Sequence, residues 1–171
     1  MLTLADSDLR RKLDVGIFPN EHAGVLEDLR PMYGHSVRRA EPQPPLPQND
    51  NCLSAALGIP HFDNGQFTDA RFAHWMIHER KLTPLPEPQP GALVFYFEQE
   101  RWQHAGTITS DGKVLSKWGS FMFFVHPWNE VPSSYGSTME VYKHPGKDGA
   151  LELFQQYVTA CAALPGWAVS R

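Results

Sequence analysis

The strongest structural pattern in the sequence is ALVFYFEQERWQHAGTITSDGKVLSKWGSFMFFVHP, residues 92–127. It contains four short apolar or alternating runs, at 92–98, 103–110, 113–119 and 120–127, and such runs are typical of β-strands. The Asp111-Gly112 pair between the second and third runs favours a two-residue hairpin turn. A fifth run follows at 137–144. The sequence therefore predicts a central antiparallel sheet of about five strands.

Helices are predicted before and after these strands in the sequence. Residues 4–16 and 20–34 each run from a polar cap candidate to a glycine, and four prolines in 41–48 exclude regular structure there. A short helix is expected after Asn51, a longer one within 63–82 and a closing helix within 146–171. We expect the proline-rich loop to pack near the helix that follows Asn51. This layout is typical of the α+β class, with the N-terminal helices packed on the sheet.

Composition narrows the classes of function. The chain of 171 residues is 42% hydrophobic and 20% charged, as globular proteins are, and its formal net charge is −4. That charge, without a Lys/Arg block, argues against nucleic acid as a partner. The N-terminus has no apolar run behind a basic start, and no apolar stretch approaches the roughly 20 residues of a membrane helix. We expect synthesis in the cytoplasm and no membrane partner; export by a specialised secretion system would leave no trace in these patterns.

Metal and disulfide chemistry are not expected. Cys52 and Cys161 are too few to form a disulfide framework. His74 and His78 are four residues apart on one predicted helix face, a spacing that can chelate a metal, but no third ligand accompanies them. The sequence thus predicts neither a metal site nor another cofactor.

Cys52 and His104 are the best candidates for catalysis. Cys52 opens a short helix, where unsatisfied N–H groups and the helix dipole lower the pKa of a thiol. His104 opens a predicted strand beside the small residue Ala105. Each residue alone is more often structural. Together they meet the requirements of a thiol–imidazole pair, in which histidine accepts the thiol proton and later protonates the leaving amine.

The segment PGALVFYFEQERWQHAGTITSDGKVLS, residues 90–116, resembles the NlpC-type cysteine peptidases and amidases. The shared features are a Pro-Gly entry, an apolar strand, a His-small-Gly triplet at 104–106 and a following hairpin. The resemblance implies a papain-like fold formed by one domain, residues 1–171. Its parts would be a helical lead-in with the proline-rich loop (1–49), a catalytic core (50–145) and the closing helix (146–171). It also implies Cys52 as the nucleophile, His104 as the base and no cofactor.

Two positions depart from that family. Its nucleophile motif is Asp-Cys-Ser-Gly, whereas residues 51–54 here are NCLS. The third residue, which orients the histidine, falls on Ser116, whose hydroxyl can accept from a ring N–H. An ideal two-residue hairpin would place Gly119 opposite His104 and leave Ser116 out of reach, so Ser116 can serve only if a bulge or a longer turn shifts the register. Otherwise His126 or a backbone carbonyl would take this role.

A second resemblance extends the candidate site. NCLSAALG, QHAGTITSDGKVLSKWG and VHPWNEVPSSYGS are similar to motifs of a group of uncharacterised bacterial proteins. The similarity implies supporting or substrate-binding roles beyond the catalytic residues. The candidates for these roles are Asn51, Leu53, Lys117, His126 and Tyr135. We also expect the backbone N–H of Cys52 or Leu53 to stabilise an oxyanion.

The expected function is that of a cysteine-dependent hydrolase. It would cleave an amide bond in a peptidoglycan stem peptide or a protein through an acyl-enzyme on Cys52, with His104 as general base. Two alternatives remain open, a deamidase or acyltransferase effector toxin that uses the same pair and a non-catalytic binding module on the same fold. The expected partners are a peptide or peptidoglycan fragment, and an inhibitor or immunity protein if the chain is an effector.

Overall fold

The computed structural model describes residues 1–15, 22–44, 51–60, 68–119 and 122–162. The helices are α1 (Asp8–Val15), α2 (His22–Tyr33), α3 (Cys52–Leu57), α4 (Ala70–His78) and α5 (Gly146–Ala162). The strands are β1 (Leu2–Thr3), β2 (Arg38–Arg39), β3 (Pro84–Leu85), β4 (Leu93–Glu98), β5 (Arg101–Ile108), β6 (Val114–Trp118), β7 (Met122–His126) and β8 (Thr138–Tyr142). A 3-10 turn covers Ser133–Tyr135.

The strands, which differ in length, form one antiparallel sheet, and this confirms the α+β class. Its order is β1-β8-β4-β5-β6-β7-β2, and β3 pairs with β8 beside β1. The five predicted strands are present as β4 to β8. The predicted number of about five is nevertheless wrong, because the described part of the sheet has eight strands. The additional strands β1, β2 and β3 are two residues long, too short to produce an alternating pattern in the sequence.

The hairpin between β5 and β6 has a three-residue loop and not the predicted two-residue turn. The Thr109 amide donates to the Lys113 carbonyl (2.8 Å), and the Gly112 amide donates back to the Thr109 carbonyl (3.0 Å). Gly112 has φ +77°, which glycine adopts without strain. The Thr109 side chain supports the longer loop, because its hydroxyl accepts from the Lys113 amide and donates to Asp111. The longer loop shifts the register by one residue and pairs Gly106 with Ser116.

The sheet carries helices on both faces. We call the face that contains Ala105 and Lys117 the front face and the face that contains His104 and Ser116 the back face, since neighbouring residues of a strand point to opposite sides. The helices α3, α4 and α5 pack on front-face residues such as Phe95. The helices α1 and α2 pack on the back face, where leucines of both helices contact Trp118 and Phe124. The predicted packing of the N-terminal helices on the sheet is therefore confirmed.

The local signals around α3 also hold. The Asn51 side chain caps the helix by accepting from the amides of Leu53 (3.0 Å) and Ser54 (2.9 Å), and the Ser54 hydroxyl accepts from the Asn51 backbone amide. Gly58 ends the helix in the left-handed conformation. Residues 45–50 lie outside the described residues, so the predicted packing of the proline-rich loop near α3 concerns a segment that the structure does not describe.

Within the described residues, the structure shows no helix whose length and apolar character would allow it to cross a membrane.

Candidate active site

Cys52 lies where the strands β5 and β6 separate. The β5–β6 pairing ends at Gly106 and Ser116, so residues 101–105 of β5 have no partner on β6. The Ile108 amide donates to Ala92 beside β4, and amides alternate in direction along a strand. The Ala105 amide therefore points away from β4, into the gap between β5 and β6. A thiolate at Cys52 would be stabilised by this amide, which therefore lowers the thiol pKa. The sulfur thus lies at the gap.

The thiol of Cys52 is not activated in this structure, which contradicts the expectation from its position at a helix start. The residue keeps some exposure, but burial raises the pKa of its thiol from 9.0 to about 11. The amides of Ala105, Cys52 and Leu53 and the charge of Lys117 all favour the thiolate, and burial outweighs them. A helix of six residues contributes only a small dipole, which is a physical reason for this balance.

His104 is buried on the back face between two aromatic rings. It is 1% exposed, and its ring stacks on Tyr135 with a centroid distance of 3.8 Å and an angle of 11°. The ring of Tyr96 lies on another side, at 5.9 Å. Among the described residues, the Nε2 atom of His104 has no hydrogen-bond partner. Burial, with a smaller contribution from the charge of His126, lowers the His104 pKa well below its ordinary value, so the ring is neutral at neutral pH.

The backbone brings Cys52 and His104 close together without joining them. His104 directly precedes Ala105, whose amide faces the sulfur, and a β-bulge at Gln103 disturbs the β4–β5 ladder just before it. Bulges often redirect side chains beside active sites. No hydrogen bond between the thiol and the ring is present among the described residues. Tyr135 is near both groups, because its ring stacks on His104 and the charge of Cys52 is among the causes that raise its pKa.

Ser116 lies on the same face as His104, as its proposed role requires, but its hydroxyl serves other groups. The Nδ1 atom of His126 lies 2.8 Å from the Pro127 carbonyl, so Nδ1 carries the proton and Nε2 is an acceptor. The Ser116 hydroxyl then donates to Nε2 of His126 (2.9 Å) and accepts from Nε1 of Trp118 (2.9 Å). The predicted contact between Ser116 and His104 is not seen. The longer hairpin loop supplies the register shift that this contact needed, and the hydroxyl instead turns toward β7.

The remaining candidates surround this centre. Lys117 is buried on the front face, and its charge lowers the thiol pKa of Cys52. The Asn51 side chain caps α3 and also donates to the Thr68 carbonyl, so it ties two segments together beside the thiol. The Leu53 amide is occupied by this cap at 3.0 Å. Of the two amides expected to stabilise an oxyanion, that of Cys52 is therefore the better placed.

Burial also sets the ionisation state of His126. The residue is fully buried on β7, opposite Val114 on β6. Burial lowers its pKa to about 4, and the bond to the Pro127 carbonyl raises it only slightly against this effect. His126 is thus a neutral partner of Ser116 and does not reach His104 as a hydrogen-bond acceptor in this structure.

Two residues of this region were not identified from the sequence. Tyr96 lies within an apolar strand pattern, and only its pairing with His104 across β4 and β5 reveals it. Arg10 lies in the lead-in helix, where the sequence shows an ordinary charged residue; the structure buries it against the carbonyls around Tyr135. A cross-strand pairing scheme could have found Tyr96, whereas no local signal marks Arg10.

The other histidine pair and the comparisons add no further assignment. The rings of His74 and His78, both on α4, stack on each other at 5.8 Å, and no group of three or more potential metal ligands occurs in the described part of the chain.

No protein-family model, curated protein or solved structure matches this sequence. Conclusions about function therefore rest on the residues and their geometry.

Proposed function

We propose that the chain is a cysteine-dependent hydrolase that cleaves an amide bond through an acyl-enzyme on Cys52, with His104 as the general base. The observation that carries this proposal is the Nε2 atom of His104, which is buried and has no partner among the described residues, on the residue that precedes Ala105 at the gap. Buried polar atoms in proteins are nearly always hydrogen-bonded. An unpartnered nitrogen on a ring that neighbours the amide facing Cys52 is explained if the nitrogen receives a proton during the reaction.

The ionisation states favour base catalysis over a preformed ion pair. Both the Cys52 thiol and the His104 ring are neutral at neutral pH, because burial disfavours either charge. In the first step, the thiol proton moves to His104 as the sulfur attacks the carbonyl carbon, and the Cys52 amide stabilises the oxyanion. The leaving amine then takes the proton from His104. Water hydrolyses the thioester with His104 again as base. The thiol and ring must approach in the substrate complex, as catalytic hydrogen bonds often do.

The wider assignment follows from the same residues. We propose a papain-like fold of the NlpC type within the observed α+β arrangement, with residues 1–171 forming one domain. The proposed substrates are peptidoglycan stem peptides or protein amides, and an inhibitor or immunity protein would bind the chain if it acts as an exported effector. A deamidase or acyltransferase would use the same acyl-enzyme with a different acceptor.

A second candidate function is that of a binding module without turnover. The thiol pKa of about 11 and the depressed His104 pKa favour it, since neither group is charged as in an activated thiol–imidazole pair. The two functions differ in whether Cys52 can be acylated with the help of His104.

Single-turnover acylation separates the two candidates. In a Cys161→Ser background, p-nitrophenyl acetate should acetylate Cys52, seen by intact mass and by release of p-nitrophenol. His104→Gln should slow this step by about 100-fold, the usual scale of general base catalysis, and Cys52→Ser is the matched control for labelling elsewhere. Rates that are equal in the His104→Gln variant and the parent protein would favour the binding module and contradict the hydrolase.

A further inference from the structure

We propose that Tyr135, fixed by Arg10 of the lead-in helix α1, is the residue that orients the His104 ring. This inference rests on the proposed function of His104 as a base, and it assigns the role of the third residue in the site. Tyr135 and Arg10 are positioning residues. Tyr135 acts by stacking, in place of the usual hydrogen bond to a ring nitrogen.

The contacts of His104 show that stacking sets the plane of its ring. The Nε2 atom has no hydrogen-bond partner among the described residues, and the Ser116 hydroxyl is engaged with His126 and Trp118. The Tyr135 ring is nearly parallel to the His104 ring at a centroid distance of 3.8 Å. Because Tyr96 limits the ring from a second direction at 5.9 Å, the side chain has little freedom to rotate.

Arg10 fixes the segment that carries Tyr135. Arg10 is 2% exposed, and its guanidinium donates to the carbonyls of Val131 (2.9 Å), Pro132 (3.5 Å) and Gly136. These acceptors lie on both sides of Tyr135 in the chain. A planar guanidinium with several fixed donors can hold such a set of carbonyls, which a single ammonium cannot do in the same geometry.

Further contacts hold the segment at its two ends. Asp14, one turn along α1 from Arg10, accepts from the Ser133 hydroxyl and from the Ser134 amide (2.9 Å). Gly136 lies so close to β4 that a Cβ atom there would come within 2.2 Å of the Phe97 carbonyl oxygen. The Tyr135 hydroxyl accepts from the Gly119 amide at 3.2 Å. Tyr135 is therefore fixed both through the backbone of its segment and through its hydroxyl group.

The same stacking suits the charge that the reaction creates. When His104 takes the thiol proton, it becomes a buried cation, and no described carboxylate pairs with it. The faces of Tyr135 and Tyr96 are the groups that can stabilise this cation, because the face of an aromatic ring attracts positive charge. An aromatic ring at position 135 is thus required, whereas its hydroxyl is secondary.

Acylation by p-nitrophenyl acetate tests the two residues in the full chain. Tyr135→Leu should slow acylation of Cys52 by about 10- to 100-fold, since small misplacements of a catalytic group have effects of this size. Tyr135→Phe keeps the stacking and should recover most of the lost rate. Arg10→Lys should reduce the rate, because one ammonium cannot hold the three carbonyls; it is chosen over Arg10→Met so that the protein keeps a buried donor. Tyr157→Leu, on the opposite face, is the control for loss of a buried tyrosine.

A second measurement reports the stacking without using catalysis. The His104 ring protons lie over the face of Tyr135, so their NMR signals should be shifted upfield in the parent protein and in Tyr135→Phe. These signals should move toward ordinary positions in Tyr135→Leu and Arg10→Lys. If His104→Gln abolishes acylation while Tyr135→Leu does not, the positioning role is wrong and the hydrolase stands. If His104→Gln has no effect, the hydrolase itself is wrong. Equal rates and shifts for Arg10→Lys and the parent would overturn the role of Arg10.

Discussion

The reactivity of the Cys52 thiol as the pH is raised tests the electrostatics of the site directly. Burial raises its pKa from 9.0 to about 11, against the backbone amides and Lys117, which lower it. A shift of two pH units means about 100-fold less thiolate at neutral pH than an ordinary cysteine has. A more basic thiolate is also a better nucleophile, and in exchange with a disulfide this raises the rate per thiolate by about tenfold or a little less. The net expectation is a reaction about tenfold slower than that of a free cysteine.

The assay is the second-order rate of reaction with an aromatic disulfide, measured from near neutral pH upward in a Cys161→Ser background. We expect the rate to keep rising past the ordinary thiol pKa, with a midpoint near pH 11. Circular dichroism at each pH verifies that the protein remains folded, and Cys52→Ser gives the background. Denatured protein gives the unperturbed reference, because unfolding removes the burial that causes the shift.

A midpoint below the ordinary thiol pKa would refute the reasoning. It would mean that the helix start and Lys117 outweigh burial, and that Cys52 is ionised beside a protonated His104. A plateau at neutral pH that vanishes in His104→Gln would point to the same ion pair. The sequence alone predicts such a lowered thiol pKa, because it shows that Cys52 starts a helix but does not show how deeply the thiol is buried.

Two other outcomes are expected from the folded structure. His126, with its pKa lowered to about 4, stays neutral while the unfolded chain takes up a proton below about pH 6.5, so stability falls as the pH falls between these values. At about pH 5 the loss is about 2 kcal/mol, and urea unfolding of His126→Gln should lack this part of the acid dependence. Gly136→Ala should cost about 3 kcal/mol in urea unfolding, because the Cβ would meet the Phe97 carbonyl oxygen at 2.2 Å and φ +113° strains any residue except glycine. Gly58→Ala, with an open site and φ +68° in the left-handed region, should cost about 1 kcal/mol; equal losses would contradict the steric argument.

The elements that could be predicted from the sequence are those with local causes. The helix α3 is predicted because Asn51 supplies its cap and Gly58 its end, both within ten residues. The strands β4 to β8 are predicted because their alternating or apolar runs are bounded by turns. The candidate Cys52 follows from its position at the start of α3. His104 was expected to open a strand, but β5 begins three residues earlier, at Arg101.

The features that the sequence does not predict correctly depend on interactions between residues that are distant in the chain or on side-chain contacts within a loop. The predicted β5–β6 register differs from the observed one by one residue. The Thr109 side chain supports a three-residue loop, although Asp111-Gly112 suits a shorter one. The predicted lowering of the Cys52 pKa by the helix start is outweighed by burial, which distant parts of the chain determine. Arg10 is separated by more than 120 residues from the carbonyl of Val131 that it binds, so no nearby pattern can reveal its role.

The gap between β5 and β6 explains how residues on opposite faces can form one site. Cys52 starts a front-face helix, whereas His104 and Tyr135 are on the back face, and a continuous sheet would separate them. At Gly106 the two strands are still close, since a Cβ atom there would come within 2.6 Å of Val114 and 2.9 Å of the Leu115 carbonyl oxygen. One residue earlier the pairing has ended, and the Ala105 amide is free to face the sulfur. The opening of the sheet at this point therefore allows a front-face helix to bring Cys52 beside the strand that carries His104.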